Sequence, residues 1–194
     1  MKRAILVLSK SQIQQEIKSI LALANYQVLA TIDNGMEALR LVHRLEPDLI
    51  IMSWSLQELG AQDLLQSLVD SHLCPIIVIL TTDEQHQLAT AIQSDAHQVV
   101  LYPLRAMDIL AAILSAEHRF TRDSEQTARY RRLEEELKTR KLIYQAVLYL
   151  IQQRGYKEQV AYAAMRQQAM TKRKSLRAIA QTVIKGEWLP PLDE

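Results

Sequence analysis

The side chains that most often carry catalysis are scattered in this chain of 194 residues. There are only four glycines and no glycine-rich phosphate loop, and no serine or cysteine lies in a recognisable nucleophile motif. The histidines are widely separated, with no pair at metal-ligand spacing: His43, His72, His86, His97 and His118. The sequence therefore predicts a protein that is not an enzyme and has no metal site and no cofactor.

Positive charge is the second chemical feature, and it is concentrated late in the chain. Residues 1–117 contain 7 Lys and Arg against 13 Asp and Glu, whereas residues 118–194 contain 16 against 9. Within residues 145–185 the only acidic residue is Glu158, and the basic ones are Arg154, Lys157, Arg166, Lys172, Arg173, Lys174, Arg177 and Lys185. This asymmetry predicts an acidic module joined to a basic one that binds a polyanion, with solvated helix faces as the alternative.

The composition is that of an ordinary globular protein of one or two domains, with 48% hydrophobic and 23% charged residues. The single cysteine, Cys74, excludes an internal disulfide and favours a reducing compartment. We expect Cys74 to be a small buried residue that precedes a strand. No apolar run approaches the roughly 18–20 residues that span a bilayer, so we expect a cytoplasmic protein without membrane contact.

Short apolar runs alternate with helical patterns through the first 117 residues. Strands are predicted at residues 4–8, 26–32, 49–52, 76–80 and 99–102, and helices at 12–23, 36–45 and 107–115. Strands buried on both faces and separated by helices indicate a parallel sheet that is covered on both sides. The pattern therefore predicts an α/β flavodoxin-like, doubly wound sheet of five strands.

The stretch from Ser115 to Ile151 contains no glycine or proline and predicts one long helix. Side chains recur along it at spacings of three and four, with a polar interruption at Arg140: Tyr130, Leu133, Leu137, Arg140, Tyr144, Val147 and Ile151. This heptad pattern predicts a coiled-coil homodimer, with a single helix packed within its own chain as the alternative. Gly155 should end the helix, and two short helices are expected at 157–170 and 174–184.

Four short motifs stand out in the first half: Ile5-Leu6-Val7, Asn34-Gly35-Met36-Glu37-Ala38-Leu39, Pro47-Asp48 and Tyr102-Pro103. They resemble the motifs of CheY-like receiver domains of response regulators, which have Lys-Pro at the position of Tyr102-Pro103. The family's phosphoryl transfer requires an acidic pair that holds Mg²⁺, a nucleophilic aspartate, a Ser or Thr, and a lysine.

The residues at these positions are largely incompatible with that reaction. The acidic pair aligns with Leu8 and Ser9, the aspartate with Ser53 and the lysine with Tyr102, so that only a threonine, Thr81 or Thr82, remains. A serine cannot replace a metal-bound carboxylate nucleophile. The resemblance therefore implies a pseudo-receiver that is not phosphorylated on aspartate, and Tyr102 and Trp54 are expected to fill the former pocket by packing.

Several small, apolar and basic positions recur in order through the basic half: Arg140 to Ala146, Gly155, Ala161-Tyr162, Arg166, Ala169-Met170, Leu176, Ile179-Ala180 and Val183-Ile184. Over roughly residues 138–185 this pattern resembles the ANTAR three-helix module. Receiver, coiled coil and ANTAR module in succession is the layout of AmiR- and NasT-like transcription antiterminators. Such proteins bind paired hexaloop hairpins in leader mRNA as dimers and prevent a terminator from forming. This chain has Val147-Leu148 where the family usually has Lys-Gly.

The resemblance implies four segments: a pseudo-receiver (1–117), a coiled-coil linker helix (118–139), the ANTAR domain (138–185) and a tail (186–194). The predicted dimer seam consists of Tyr130, Leu133, Leu137 and Tyr144. The predicted RNA contacts are Gln145, Arg154, Arg166, Lys172, Arg173, Lys174 and Arg177. Ala146, Ala161 and Ala169 should be packing positions, and Tyr162 a core residue more readily than a base-stacking one.

The expected partners are leader mRNA hairpins, a second copy of the chain and a ligand-sensing regulatory protein that would replace phosphorylation as the input. Two alternatives are consistent with the same residues. One is a DNA-binding response regulator, because short basic helices also fit a major groove. The other is an interaction module whose basic face contacts an acidic protein.

Overall fold

The computed structural model describes residues 1–56 and 61–191 and divides into two compact units, Met1–Glu125 and Gln126–Glu194. The last residues of the expected tail, 192–194, lie outside the described residues. Within the described ranges, no helix combines the length and the apolar character needed to cross a bilayer.

The first unit is a five-stranded parallel sheet in the order β2-β1-β3-β4-β5, which confirms the predicted flavodoxin-like fold. The strands are β1 Lys2–Val7, β2 Tyr26–Ile32, β3 Leu49–Ser53, β4 Ile76–Leu80 and β5 Gln98–Leu101. The helices are α1 Ser11–Leu23, α2 Gly35–Leu45, α3 Ala61–Ser71, α4 Leu88–Gln93 and α5 Ala106–Arg154, with a 3₁₀ helix at Thr82–Gln87.

Two hydrophobic cores cover the two faces of the sheet, because successive side chains of a strand point to opposite sides. In β1, Ile5 and Val7 belong to one core, whereas Ala4 and Leu6 belong to the other. Every residue of β3 and β4 is buried, as expected for inner strands of a covered parallel sheet. Cys74 is buried beside β4, as predicted.

The second unit packs two helices, α6 Glu158–Lys172 and α7 Leu176–Ile184, against the end of α5. Gly155 follows α5 with φ +68°, so it acts as the predicted helix terminator. Ser175 caps α7 by accepting a hydrogen bond from the Ala178 amide at 3.2 Å. The buried core is small: Ala146, Val147, Leu150, Ala161, Met165, Ala169, Ile179, Ala180 and Val183.

The long helix predicted from Ser115 to Ile151 is confirmed, and it is continuous with the helix expected at 107–115, because nothing in the sequence interrupts helical geometry there. α5 has 49 residues in all. Val147 and Ile151, which continued the heptad pattern, pack in the three-helix core instead. The four residues of the predicted dimer seam, Tyr130, Leu133, Leu137 and Tyr144, are exposed on α5.

Candidate functional site

The predicted receiver pocket lies at the edge of the sheet where the carboxyl ends of parallel strands meet. Leu8 follows β1 and is fully buried, and Ser53 at the end of β3 is 9% exposed. Tyr102 follows β5, where its amide donates a hydrogen bond of 2.7 Å to the Leu80 carbonyl. Ser9 is exposed. The four positions therefore lie on one edge, and none of the four residues carries a carboxylate or an amine.

Thr81, the fourth strand-end residue, is engaged by a carboxylate that the sequence reasoning missed. The Glu84 Oε2 atom accepts a hydrogen bond of 2.7 Å from the Thr81 amide, and the Thr81 side chain accepts one from the Glu84 amide. Burial raises the pKa of Glu84, but hydrogen bonds from Ser55 and Thr81 and the charge of Lys10 lower the pKa overall. The signal was present in the sequence, since Thr-x-x-Glu is a capping-box pattern.

Trp54 and Tyr102, both expected to fill the former pocket, pack instead against the cores on opposite faces of the sheet. Trp54 is buried in one core, and its indole N–H donates to Oε1 of Gln87. Tyr102 is half-buried against the other core, and its carbonyl accepts a 3.2 Å hydrogen bond from Thr82 Oγ1. In the described part of the chain, no cluster of three His, Cys, Asp or Glu side chains could hold a metal ion.

The basic residues of the second unit differ in how they are partnered. Lys172, Arg173 and Lys174, here called the basic turn, are all exposed where α6 gives way to α7. Arg173 is in the left-handed region with φ 51°, and the Lys174 amide donates 3.0 Å to the Ala169 carbonyl. Within residues 1–56 and 61–191, none of the three side chains forms an ion pair. Their charges are therefore open to an external anion.

Arg177, by contrast, is bound to the chain itself. Its Nη1 atom donates to Oε2 of Glu135 at 2.7 Å and to Oγ1 of Thr139 at 3.5 Å. The Arg177 guanidinium and Lys138 lower the pKa of the Glu135 carboxyl. Arg177 would have to give up or share this pair in order to contact RNA, whereas the basic turn would not.

The remaining predicted contacts lie on α5 and α6. Gln145 and Arg166 are exposed, and Arg154 is half-buried in the last turn of α5. The preference for a core position at Tyr162 is wrong, because this side chain is 44% exposed. It follows the buried Ala161 and therefore points away from the buried stripe of α6. Ala146, Ala161 and Ala169 are buried, as predicted for packing positions.

Tyr162 and Arg166 are four positions apart, so they share one exposed face of α6. The basic turn lies at the carboxyl end of the same helix. An aromatic ring, a guanidinium and three further cations thus occur along one short element. Such a combination suits stacking with unpaired bases and neutralisation of phosphates.

Family models match both units of the chain. Residues 5–114 match the response regulator receiver domain, and residues 131–184 match the ANTAR domain. The transcriptional regulatory protein PdtaR from Mycobacterium tuberculosis is 24% identical over 183 residues, which cover 94% of this chain and 89% of PdtaR. The transcriptional regulatory protein YdfI from Bacillus subtilis is 30% identical over 76 residues, 39% of this chain and 36% of YdfI.

Solved structures support the fold of the first unit. The receiver domain of a modulated diguanylate cyclase from Desulfovibrio desulfuricans has a TM-score of 0.56 at 21% identity, covering 63% of this chain and 98% of that domain. A DNA-binding response regulator of the LuxR family from Staphylococcus aureus has a TM-score of 0.54 at 18% identity, covering 60% and 99%. At such identities the similarity shows the fold alone.

Proposed function

The chain belongs to the ANTAR-domain response regulators, and from that premise we propose that it is an RNA-binding transcription antiterminator. It binds hairpin loops in leader mRNA and is a cytoplasmic regulator rather than a catalyst. The observation that carries the proposal is the basic turn, whose three exposed cations have no ion-pair partner in the described residues.

Loop RNA suits this surface better than a regular duplex does. Unpaired loop bases expose their edges and rings, whereas the bases of an A-form duplex are hidden in a narrow groove. The basic turn neutralises phosphates, and Tyr162 and Arg166 offer an exposed ring and an exposed guanidinium on the same helix. Gln145 and Arg154 on α5 complete the proposed contacts, and Arg177 joins them if Glu135 releases it.

We further propose that the receiver is regulated without phosphorylation. The pocket edge presents Leu8, Ser9, Ser53 and Tyr102 where the reaction needs three carboxylates and a lysine. Thr81 is already engaged by Glu84. The input would then come from a regulatory protein that senses a ligand, which is tested by whether such a partner co-purifies and is released by a small molecule.

The protein acts as a homodimer in this proposal. Tyr130, Leu133, Leu137 and Tyr144 form an exposed stripe at heptad spacing on α5, and their exposed fractions are 67, 48, 65 and 58%. A parallel pair of helices would bury this stripe. Two linked modules then bind two hairpins with an affinity that exceeds that of either contact alone.

The test compares binding of a two-hairpin leader RNA with that of duplex DNA of equal length across a series of salt concentrations. We expect loop-dependent RNA binding that weakens with salt and is lost when Lys172, Arg173 and Lys174 are all replaced by alanine. Removal of about three phosphate contacts should lower the slope of log affinity against log salt by about 2 to 3. The matched control replaces three exposed cations of the first unit, Lys18, Arg40 and Arg105, and should bind RNA like the unmodified protein.

The alternatives give different results in the same experiment. Equal or tighter binding to duplex DNA would indicate a promoter-binding regulator and contradict antitermination. A triple variant that binds RNA normally would show that the basic turn is a solvated surface. Binding to neither nucleic acid would indicate that the basic face contacts an acidic protein instead.

A further inference from the structure

A cavity of about 400 Å³ lies in the second unit between α6 and the segment that follows α7. We call it the α6–tail pocket. Pockets for small organic ligands run from about 300 to about 1,000 Å³, so this one is large enough for a single planar heterocycle. Its lining residues are Tyr156, Val160, Ala163, Ala164, Gln167, Gln168, Thr171, Trp188, Pro190 and Pro191.

The floor of the pocket is open because α6 has small side chains there. Ala163 and Ala164 present only methyl groups between Val160 and the glutamines at 167 and 168. The opposite wall is held by Tyr156, whose hydroxyl donates to the Pro190 carbonyl at 3.4 Å and also to that of Pro191. A flat ring could therefore lie on the methyl groups and face the aromatic wall.

The chemistry of the lining matches a nucleobase. Trp188 and Tyr156 are half-buried aromatic side chains of the kind on which unstacked bases pack. Among the described residues, the side-chain amides of Gln167 and Gln168 have no hydrogen-bond partner. An amide offers one donor and one acceptor in the arrangement that pairs with N7 and the amino group of adenine.

The lining of the pocket carries no charge, and one end of the pocket is basic. None of the ten lining residues is Asp or Glu. Lys157 follows the lining residue Tyr156 at the start of α6, and Lys172 follows the lining residue Thr171 at its end, and both are exposed. Glu158 lies beside Lys157, and Glu187 lies beside the lining residue Trp188, so the Lys172 end, which is continuous with the basic turn, is the one that can hold a phosphate next to an inserted base.

We propose that the α6–tail pocket receives one unstacked adenine of the RNA loop, with its edge at Gln167 and Gln168 and its ring against Trp188. This inference rests on the proposed function and adds to it the element that reads a base. The basic turn would supply affinity for any RNA backbone, whereas the pocket would supply the dependence on loop sequence.

The test fills the pocket without changing charge. Ala164→Leu keeps a strong helix former at a half-buried position. It adds three side-chain carbon atoms where the methyl groups form the floor of the pocket. Ala178→Leu is the matched control, because Ala178 is a half-buried alanine of α7 that does not line the pocket. Both variants are first checked for wild-type helicity by circular dichroism.

The probe is a two-hairpin RNA with six-nucleotide loops whose adenines are replaced one at a time by an abasic site. One abasic position should weaken wild-type binding by at least about tenfold, the size expected for loss of one stacked base. Ala164→Leu should weaken binding of the intact RNA by a similar factor. The variant should then bind the abasic RNA as tightly as it binds the intact RNA. Ala178→Leu should behave like wild type with every probe.

Further substitutions identify the base edge. Gln168→Ala should reduce binding to adenine loops, and replacing the adenine by purine, which lacks the amino group, should remove that difference. Gln181→Ala on the exposed side of α7 is its control.

Two results would contradict the proposed adenine site while leaving the proposed RNA binding intact. One is that Ala164→Leu binds the RNA with wild-type affinity. The other is that the abasic substitution weakens binding by Ala164→Leu as much as it weakens binding by the wild-type protein. Failure of the wild-type protein to prefer loop RNA would instead overturn the proposed function, and the pocket with it.

Discussion

The receiver edge and the basic turn differ in where their polar groups find partners. At the receiver edge the Glu84 carboxylate accepts from Thr81, and the Trp54 indole donates to Gln87. At the basic turn, the three cations form no ion pair with any described residue. A polar group with an internal partner contributes to the fold, whereas an exposed unpartnered one is available to a ligand. This contrast supports the proposal that the second unit binds the RNA and that the first unit regulates it.

The two units also differ in how much core stabilises them. The first has a separate buried core on each face of its sheet, whereas the second relies on a single cluster of nine buried residues. Small cores leave little margin, since net stability is a small difference between large opposing terms. The unit that we propose binds RNA is therefore the one more easily unfolded by a single core substitution.

The largest effect is expected from Met165→Ala, which removes a fully buried side chain from the centre of the small core. Such truncations cost about 2–5 kcal/mol, which is enough to unfold the second unit and abolish RNA binding. Thermal unfolding followed by circular dichroism should show the loss of part of the helical signal at low temperature while the first unit still melts cooperatively. Met170→Ala is the control, because this methionine of the same helix is 65% exposed. Normal RNA binding by Met165→Ala would break the contrast in core size.

A charge in the exposed stripe of α5 should have the next largest effect. Leu137→Lys would place like charges at the centre of the proposed dimer seam, and we expect a monomer by sedimentation. Loss of linkage should weaken two-hairpin RNA binding by about 10²-fold and leave single-hairpin binding nearly unchanged. Leu114→Lys adds the same charge at a 68% exposed leucine outside the seam and should remain dimeric. If the wild-type protein is itself a monomer, the proposed dimer is wrong.

Glu84→Gln tests whether the receiver edge is stabilised internally. Loss of the charged hydrogen-bond acceptor should cost about 1–2 kcal/mol at neutral pH, by urea unfolding of the first unit. The folded-state pKa of Glu84 is lowered, so its contribution is complete above the ordinary carboxyl pKa and is lost as the pH falls through the folded-state pKa. The difference between wild type and variant should therefore shrink in acid. Glu125→Gln, an exposed carboxyl of α5, should show neither effect. A difference that stays constant down to acid pH would mean that the charge of Glu84 contributes nothing.

The sequence predicted the buried strands and the end of the long helix, but it did not predict the direction in which individual helical side chains point. The buried runs of β3 and β4 and the terminating glycine at 155 carry strong local signals, and the structure has each of them. The sequence favours a core position for Tyr162 over a stacking one, but a shift of one residue on a helix turns a side chain by about 100°, and Tyr162 follows the buried Ala161. The heptad spacing does not show where the exposed stripe of α5 ends, because Tyr144 and Val147 follow the same pattern. Tyr144 is exposed, whereas Val147 is buried by packing against α6 and α7.

The ion pair of Arg177 and the α6–tail pocket could not be predicted from the sequence, because both join residues that are far apart along the chain. Glu135 and Arg177 are 42 positions apart, and no local pattern predicts their ion pair. Tyr156 and Trp188 likewise line one pocket only because α7 brings the chain back past α6. Long-range juxtapositions of this kind depend on the tertiary fold, whereas caps and buried runs depend on neighbours within a few residues.

The smallest effect is expected from Ser53→Asp, which restores the carboxylate that receivers phosphorylate. With acetyl phosphate and Mg²⁺, intact-protein mass spectrometry should detect no phosphorylated species, because phosphoryl transfer also needs metal ligands at the positions of Leu8 and Ser9 and a cation at that of Tyr102. Leu8 is fully buried and cannot be a ligand, and Thr81 is held by Glu84. A receiver with all of these groups serves as the positive control. Phosphorylation of Ser53→Asp would show that one substitution had silenced an otherwise competent site. The receiver edge would then be able to react with an external ligand, and its contrast with the basic turn would be wrong.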